Sequence, residues 1–186
     1  MRYIFTALLV LLACGGPKKE RIEKPTEKVE KGIYMNILVK DLGDIVIKLH
    51  IEDAPKNVAN IVKLANEGFY NGLTFHRVIK GFVIQGGCPK GDGTGTPGYE
   101  IEDEITPKLK HLKGTVAMAN RGPNTNGCQF YICLAPLPDL DGGYTIIGQV
   151  VQGIDVVDKI GAAKTGANDR PVNAIIMEKV WIEEEQ

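Results

Sequence analysis

Serine is absent from this 186-residue chain, which excludes every reaction that uses a serine nucleophile. Histidine is scarce, and its three copies, His50, His76 and His111, fall in different predicted elements without the spacing of metal ligands. Aromatic residues make up only 6% of the chain, and a net charge of −1 gives no reason to expect nucleic acid as a partner. The glycine-rich segment 86–98 does not end in the Gly-Lys-Ser/Thr of a phosphate-binding loop. We therefore expect no metal, nucleotide or other cofactor.

The residues that are present indicate one globular domain that is mainly β. Hydrophobic residues make up 44% of the chain, enough for a core, and 22 glycines are typical of a fold with many turns. The clearest strand is 45–51, in which Ile45, Ile47, Leu49 and Ile51 share one face. The predicted strands are 34–39, 45–51, 74–79, 82–85, 115–119, 129–134, 144–150 and 175–182. Since most of them are not linked by helices, we expect an antiparallel barrel with helices over its open ends.

Two helices are predicted. Asp53 is placed to cap the first, and Pro55 suits its first turn, where a missing N–H does no harm. Helical spacing gives it an apolar face of Val58, Ile61, Val62, Ala65 and Phe69. The second helix covers 154–160, with Ile154, Val157 and Ile160 spaced to share a face.

The first residues have the pattern of an export signal. A positive charge at Arg2 precedes an apolar run over 4–13, which is shorter than the about 20 residues of a membrane-spanning helix. The run ends Leu-Leu-Ala-Cys-Gly, which resembles a bacterial lipobox and predicts a lipoprotein signal peptide over 1–13 with Cys14 as the lipidated residue. The alternative is an ordinary signal peptide or an uncleaved anchor with an incidental cysteine.

Residues 14–32 separate this signal from the folded part, 33–186. They carry two prolines and many charges but few large apolar side chains, so they predict a flexible tether. A short charged helix is the alternative, since Glu and Lys are good helix formers.

The other cysteines and the acidic run have simple interpretations. Cys88, Cys128 and Cys133 are an odd number, and the five-residue spacing of the last two puts them on opposite faces of a strand. We expect small buried thiols rather than redox or metal chemistry. The carboxylates at Glu100 and 102–104 are interpreted as solvated charge.

Two polar runs, FHRVIKGFVIQGG over 75–87 and MANRGPNTNGCQF over 118–130, predict a shallow groove with hydrogen-bond donors and a hydrophobic floor. Strand alternation puts Phe75, Arg77 and Ile79 on one face. An arginine between apolar neighbours lines a groove or binds a partner, or else it is a surface side chain whose stem covers apolar area. Alternation alone does not separate these two interpretations.

The runs FHRVIKGFVIQGG over 75–87, GTVAMANRGPNTNGCQFYI over 114–132 and LDGGYTIIGQV over 140–150 resemble the cyclophilin family of peptidyl-prolyl cis–trans isomerases. The resemblance extends over residues 35–182. The resemblance implies a closed eight-stranded antiparallel β-barrel capped by two α-helices, and the compact loops suggest a bacterial-type member. It also implies the catalytic residues. Arg77 matches the arginine that donates to the prolyl nitrogen or carbonyl, Phe82 matches a residue that packs on the proline ring, and Gln85 matches a residue that orients the arginine.

The resemblance also implies a set of substrate-binding positions. Ala119 and Asn120 match the strand edge that pairs with peptide main chain, and His76 matches a groove-lining histidine for which a structural role stays open. The remaining matches are Val83, Met118, Gln129, Tyr131, Leu140 and Tyr144. Where larger members carry a tryptophan this chain has Asp139, so we expect weak cyclosporin binding with isomerisation retained.

The function that the sequence predicts is isomerisation of X–Pro bonds in unfolded or flexible proteins outside the cytoplasm, by a membrane-anchored lipoprotein of the cell envelope. The expected partners are proline-containing peptides, unfolded proteins and, through the lipid, a membrane, and a monomer is expected. The alternative is a non-catalytic module that binds proline peptides as a chaperone. A cation at Arg77 favours the enzyme, since a binder does not need it.

Overall fold

The computed structural model describes residues 32–185. The predicted signal peptide, the lipidation site at Cys14 and most of the tether therefore lie outside the described residues. The strands are β1 Gly32–Val39, β2 Gly43–Leu49, β3 Phe75–Ile79, β4 Val83–Gly86, β5 Thr115–Met118, β6 Phe130–Cys133, β7 Ile146–Gln152 and β8 Met177–Glu185. The helices are α1 Pro55–Asn66 and α2 Ile154–Gly161, with short 3-10 turns at Pro138–Leu140 and Ala167–Asp169. Neither helix of the described part is long and apolar enough to span a bilayer.

The eight strands form one antiparallel sheet in the order β3-β4-β6-β5-β7-β2-β1-β8. Its two outer strands, β3 and β8, share no ladder. They are joined by a single β-bridge between Thr74 and Ile176, and each of these residues immediately precedes its strand. The sheet is thus a curled half-barrel, and the fully closed barrel that was predicted is corrected.

Alternation along the strands divides the apolar residues between two clusters. The larger cluster fills the inside of the curl, where Ile37, Ile47 and Phe130 are completely buried, and both helices pack on strands that contribute to it. The smaller one lies on the other face of β4, β5 and β6 and contains Val83, Ala117, Tyr131, Cys133 and Ile146. Because β5 and β6 are buried on both faces, a polar groove built on their outer face has a hydrophobic floor.

Helix α1 begins differently from the prediction. Its N-cap residue is Ala54, and no side chain of the segment before it caps the helix. Instead the Glu104 carboxylate, far along the chain, accepts hydrogen bonds from the N–H groups of Lys56 at 3.0 Å and Asn57 at 2.9 Å. The Asp53 cap was therefore wrong, and so was the interpretation of Glu104 as solvated charge, since a carboxylate satisfies and stabilises the positive end of the helix.

Three smaller predictions have mixed outcomes. Strand β2 ends at Leu49, which leaves Ile51 in a turn and 45% exposed, and α2 buries Val156 in place of Ile154, which is 39% exposed. Cys88, Cys128 and Cys133 are free and buried, and the last two lie in different clusters, which confirms that prediction. Burial raises the pKa of the Cys128 thiol to about 11 and that of Cys133 to about 12, so both stay protonated and unreactive.

Candidate active site

A bulge in β3 sets the direction of Arg77. Phe75 pairs with Gly86, but Arg77 pairs with Gln85, so one extra residue, His76, interrupts the ladder. Phe75 consequently points into the main core against Phe130, while Arg77 emerges on the opposite face. The prediction that Phe75 and Arg77 share a face was wrong, because an added residue shifts strand alternation by one.

Arg77 opens onto a groove on the outer face of the sheet. Its walls come from the β3–β4 hairpin, β6, the residues after β5 and the segment between β6 and β7. The lining residues are Arg77, Phe82, Val83, Gln85, Ala119, Asn120, Tyr131, Leu140 and Tyr144. The structure thus brings together most of the side chains that the sequence predicted for the site, around the smaller apolar cluster.

The Arg77 guanidinium has two partners. Its Nη1 is 3.4 Å from the Gln85 side-chain oxygen, and its Nε is 3.5 Å from a carboxylate oxygen of Asp169. The side chain is 41% exposed and lines the groove. A guanidinium carries five N–H donors, so these two contacts leave donors for a ligand. The interpretation that Arg77 lines a groove is therefore favoured over the alternative, a surface arginine whose aliphatic stem covers apolar area.

The Gln85 amide continues into a second hydrogen-bonded layer. Its nitrogen donates to the Gln129 side-chain oxygen at 3.1 Å, and the Gln129 nitrogen donates to the carbonyls of Gly93 at 2.8 Å and Gly95 at 2.9 Å. The Cys88 sulfur in turn accepts the N–H groups of both glycines, which fixes the loop. The glycine-rich loop after β4 therefore anchors Gln129, which binds Gln85, the partner of Arg77.

The apolar wall opposite contains a tyrosine that is itself hydrogen-bonded. The Tyr131 ring is 5% exposed and meets Tyr144 edge-on, with ring centroids 5.7 Å apart. Its hydroxyl lies 2.9 Å from Nε2 of His111, whose Nδ1 lies 2.9 Å from Asp141. Burial raises the pKa of Tyr131 far above its usual value, so the phenol keeps its proton.

The groove also has a strand-like edge. The Ala119 N–H donates to the Gln129 carbonyl at 2.9 Å just beyond the end of β5, and Asn120 follows. The Asn120 side-chain nitrogen is buried and has no hydrogen-bond partner within the described residues. This buried donor is left unsatisfied within the described residues.

These features can be compared with known proteins. Residues 34–182 match the model of the family described as cyclophilin type peptidyl-prolyl cis-trans isomerase/CLD. The chain belongs to the cyclophilin family. It is 47% identical over 148 residues to the human peptidyl-prolyl cis-trans isomerase-like 1, covering 77% of this chain and 89% of that one. It is 48% identical over 137 residues to a peptidyl-prolyl cis-trans isomerase of Helicobacter pylori, covering 72% and 83% respectively.

A solved structure agrees with the fold. A Cryptosporidium parvum cyclophilin-type peptidyl-prolyl cis-trans isomerase, crystallised in the presence of the dipeptide Ala-Pro, superposes with a TM-score of 0.78 at 34% identity. The likeness covers 82% of this chain and 99% of that one. The cyclophilin fold and the isomerase family that the sequence resembled are confirmed.

Three predicted site residues lie away from the cyclophilin groove around Arg77. Met118 is completely buried in the main core, because its neighbours Ala117 and Ala119 take the groove-facing positions of the strand. His76 is buried at the bulge and faces the glycine-rich loop, where a Cβ on Gly93 would be 3.6 Å from its Nε2. Gln129 lines the neighbouring concavity and reaches Arg77 only through Gln85.

Three side chains that contact the groove residues were not predicted. Asp169 binds Arg77, and His111 with Asp141 binds Tyr131. Asp169 and His111 lie outside the quoted runs, and Asp141, although it belongs to the run over 140–150, was not singled out there. Hydrophobic periodicity carries no signal for such partners, so their contacts with the groove residues are seen only in the fold.

Proposed function

We propose that the groove is an isomerase active site that binds X–Pro segments and accelerates their cis–trans rotation. The observation that carries the proposal is a guanidinium held by Gln85 and Asp169 at the rim of a pocket lined by Phe82 and Tyr131. A relative crystallised in the presence of Ala-Pro supports proline as the ligand.

The chemistry requires neither a nucleophile nor a proton transfer. Rotation breaks amide resonance, with a barrier of about 18–20 kcal/mol, and the prolyl nitrogen regains a lone pair in the twisted state. An N–H of Arg77 donates to that lone pair or to the prolyl carbonyl, and it does so more strongly in the twisted state than in either planar form. A lysine would keep the charge but would lose the planar, rigid arrangement of N–H donors that the guanidinium provides.

The other groove residues bind the substrate. Phe82, Tyr131 and Leu140 enclose the proline ring with Val83 and Tyr144. The edge at Ala119 and Asn120 pairs with the main chain of the segment, in the manner of an added strand. We assign Met118, His76 and Gln129 a supporting role, because they do not line the groove.

The decisive experiment is an isomerisation assay of the purified protein and its Arg77→Ala variant on an X–Pro peptide. We expect kcat/KM to fall about 100- to 1,000-fold, as for loss of one donor to a transition state, with the fold retained by circular dichroism. Lys80→Ala, an exposed cation at the turn of the same hairpin, is the matched control and should keep full activity. A wild-type protein that binds the peptide without accelerating rotation would support the chaperone-module alternative.

We further propose that this is a bacterial-type, monomeric cyclophilin exported as a lipoprotein, with residues 1–13 as signal peptide and Cys14 carrying the lipid. The order of charge, apolar run, small residue and cysteine supports it. Its clients would then be flexible proteins of the cell envelope. Mass spectrometry of the mature N-terminus should find diacylglycerol on Cys14 and none in Cys14→Ala, which should leave the membrane fraction. An intact Met1 in the soluble fraction would refute the anchor.

A further inference from the structure

The wall of the proline pocket contains a hydroxyl where an apolar surface is needed. Tyr131 belongs to the smaller apolar cluster with Val83, Ala117 and Ile146, and its side chain is almost completely buried. A hydroxyl among apolar groups is unfavourable unless it is hydrogen-bonded. If its proton pointed into the groove, the pocket would present a polar group to a proline ring that offers no acceptor there.

His111 and Asp141 lie beside this hydroxyl. The His111 side chain is fully buried, and its ring lies nearly parallel to that of Tyr131, at 14° with centroids 6.0 Å apart. Its two nitrogens lie between a carboxylate oxygen of Asp141 and the hydroxyl of Tyr131, at 2.9 Å from each. Both ring nitrogens are therefore committed to named partners.

The carboxylate determines where the protons lie. Hydrogen bonds from the His111 backbone and side chain, with Lys110 nearby, lower the pKa of Asp141 to about 2, so it is ionised and only accepts. Nδ1 of His111 must then carry the hydrogen. In the neutral ring Nε2 is left as an acceptor, and the Tyr131 hydroxyl must donate to it.

We propose that His111 and Asp141 are positioning residues of the proline pocket: they hold the Tyr131 hydroxyl proton out of the groove, so that the tyrosine presents only its ring to substrate. The inference rests on the proposed function of the groove. It assigns a role to two side chains that do not line the groove, and it explains how this pocket accommodates a tyrosine.

The kinetic consequence is specific. An apolar pocket holds the proline ring in the planar and twisted states alike, so damage to it raises KM and leaves kcat nearly unchanged. His111→Leu should raise KM about tenfold, the scale of one buried hydroxyl left unpaired. In a Tyr131→Phe background, where no hydroxyl needs a partner, the same substitution should change KM less than about twofold.

The matched control is Tyr70→Phe. Tyr70 is a buried tyrosine outside the groove, and its hydroxyl donates to the Cys128 carbonyl at 3.0 Å. Combined with His111→Leu, its effects should simply add. If His111→Leu had the same effect with and without the Tyr131→Phe substitution, the proposal would be overturned, because His111 would then act on packing alone.

A spectroscopic test needs no substitution that could disturb folding. Long-range ¹H–¹⁵N correlation of the ¹⁵N-labelled protein distinguishes the two tautomers of each of the three histidines. We expect hydrogen on Nδ1 of His111 and none on Nε2, and a hydrogen on Nε2 would overturn the proposal. If the protein proved inactive, the proposed function would fail while this measurement still decided the proton's position.

Discussion

At the scale of single residues, the position of Arg77 depends on the side-chain amides of Gln85 and Gln129, whose hydrogen bonds all run in the same direction. Gln129 must donate from its nitrogen to the carbonyls of Gly93 and Gly95, so its oxygen faces Gln85. Gln85 must then donate to that oxygen, so its own oxygen faces Arg77. The loop backbone therefore determines the orientation of both amides, and the guanidinium meets an acceptor rather than a donor.

Gln129→Glu should break the link between the loop and these amides while keeping the shape of the side chain. A carboxylate cannot donate to the two glycine carbonyls, and each unsatisfied buried group costs about 1–3 kcal/mol, so we expect kcat/KM to fall about ten- to a hundredfold. Gln149→Glu is the matched control, because Gln149 donates to the Lys113 carbonyl away from the groove. Equal activity of the Gln129 variant and this control in the peptide assay would mean that the loop does not hold Arg77.

His76 should make stability depend on pH. Burial lowers the pKa of His76 in the folded protein, whereas the unfolded chain binds the proton near the ordinary value of about 6.5. The unfolded state therefore holds more protons below that pH, and the free energy of unfolding should fall as the pH drops from about 7 to 5. His76→Gln should flatten this decline in urea titrations at a series of pH values. Part of it should remain, since burial also lowers the pKa of His50. An unchanged slope would show that His76 is not desolvated.

Sequence reasoning predicted which residues belong to the groove better than it predicted the strand face on which each side chain lies. The resemblance supplied Arg77, Phe82 and Tyr131, which the fold brings together. Alternation failed at Phe75, because a bulge depends on how the neighbouring strand pairs and not on apolar spacing. Met118 failed for the related reason that β5 is buried on both faces, so that hydrophobicity does not tell which face meets the groove.

At the scale of secondary structure, periodicity predicted which elements exist but not what completes their ends. All eight strands and both helices occur within a few residues of the predicted bounds. The N-terminus of α1 is satisfied from the loop before β5, where Glu104 also donates its own N–H to Thr145. No local pattern around Pro55 could identify a cap that arrives from so far along the chain.

Glu104→Ala should therefore destabilise the protein by about 1–2 kcal/mol, the usual range for a lost helix cap, because the N–H groups of Lys56 and Asn57 lose their acceptor. Glu102→Ala is the matched control. Glu102 belongs to the same acidic run but its side chain pairs with the exposed ammonium of Lys56, so its loss should not change stability measurably. Urea unfolding of both variants makes the comparison, and equal midpoints would show that Glu104 does not cap the helix.

At the scale of the whole molecule, the incomplete barrel puts the proposed catalytic arginine on an exposed edge. Arg77 belongs to β3, which pairs with β4 on one side and meets the other end of the sheet only at the Thr74–Ile176 bridge. The 3-10 turn Ala167–Asp169 packs against β3 and supplies the Asp169 carboxylate to Arg77. An ion pair thus supports the edge strand where no ladder continues.

The turn that carries Asp169 has an unfavourable backbone, which is typical of segments shaped for a site. Asn168 and Asp169 are consecutive non-glycine residues with positive φ values of 57° and 58°. Asn and Asp adopt the left-handed conformation more readily than other non-glycine residues, but two in succession are unusual and persist where the surroundings impose them. We interpret the turn as a support for the guanidinium across the open side of the sheet.

Asp169→Asn tests that support with a minimal change. The amide keeps the shape of the side chain but loses the charge that faces Nε of Arg77. Half-exposed ion pairs contribute about 0.2–1 kcal/mol, so we expect kcat to fall by at most about fivefold with little change in KM. Asp158→Asn breaks a comparably exposed pair with Lys113, away from the groove, and should leave both constants unchanged. If instead Asp169→Asn raised KM at constant kcat, the carboxylate would be a substrate contact. The edge strand would then hold its arginine through Gln85 alone.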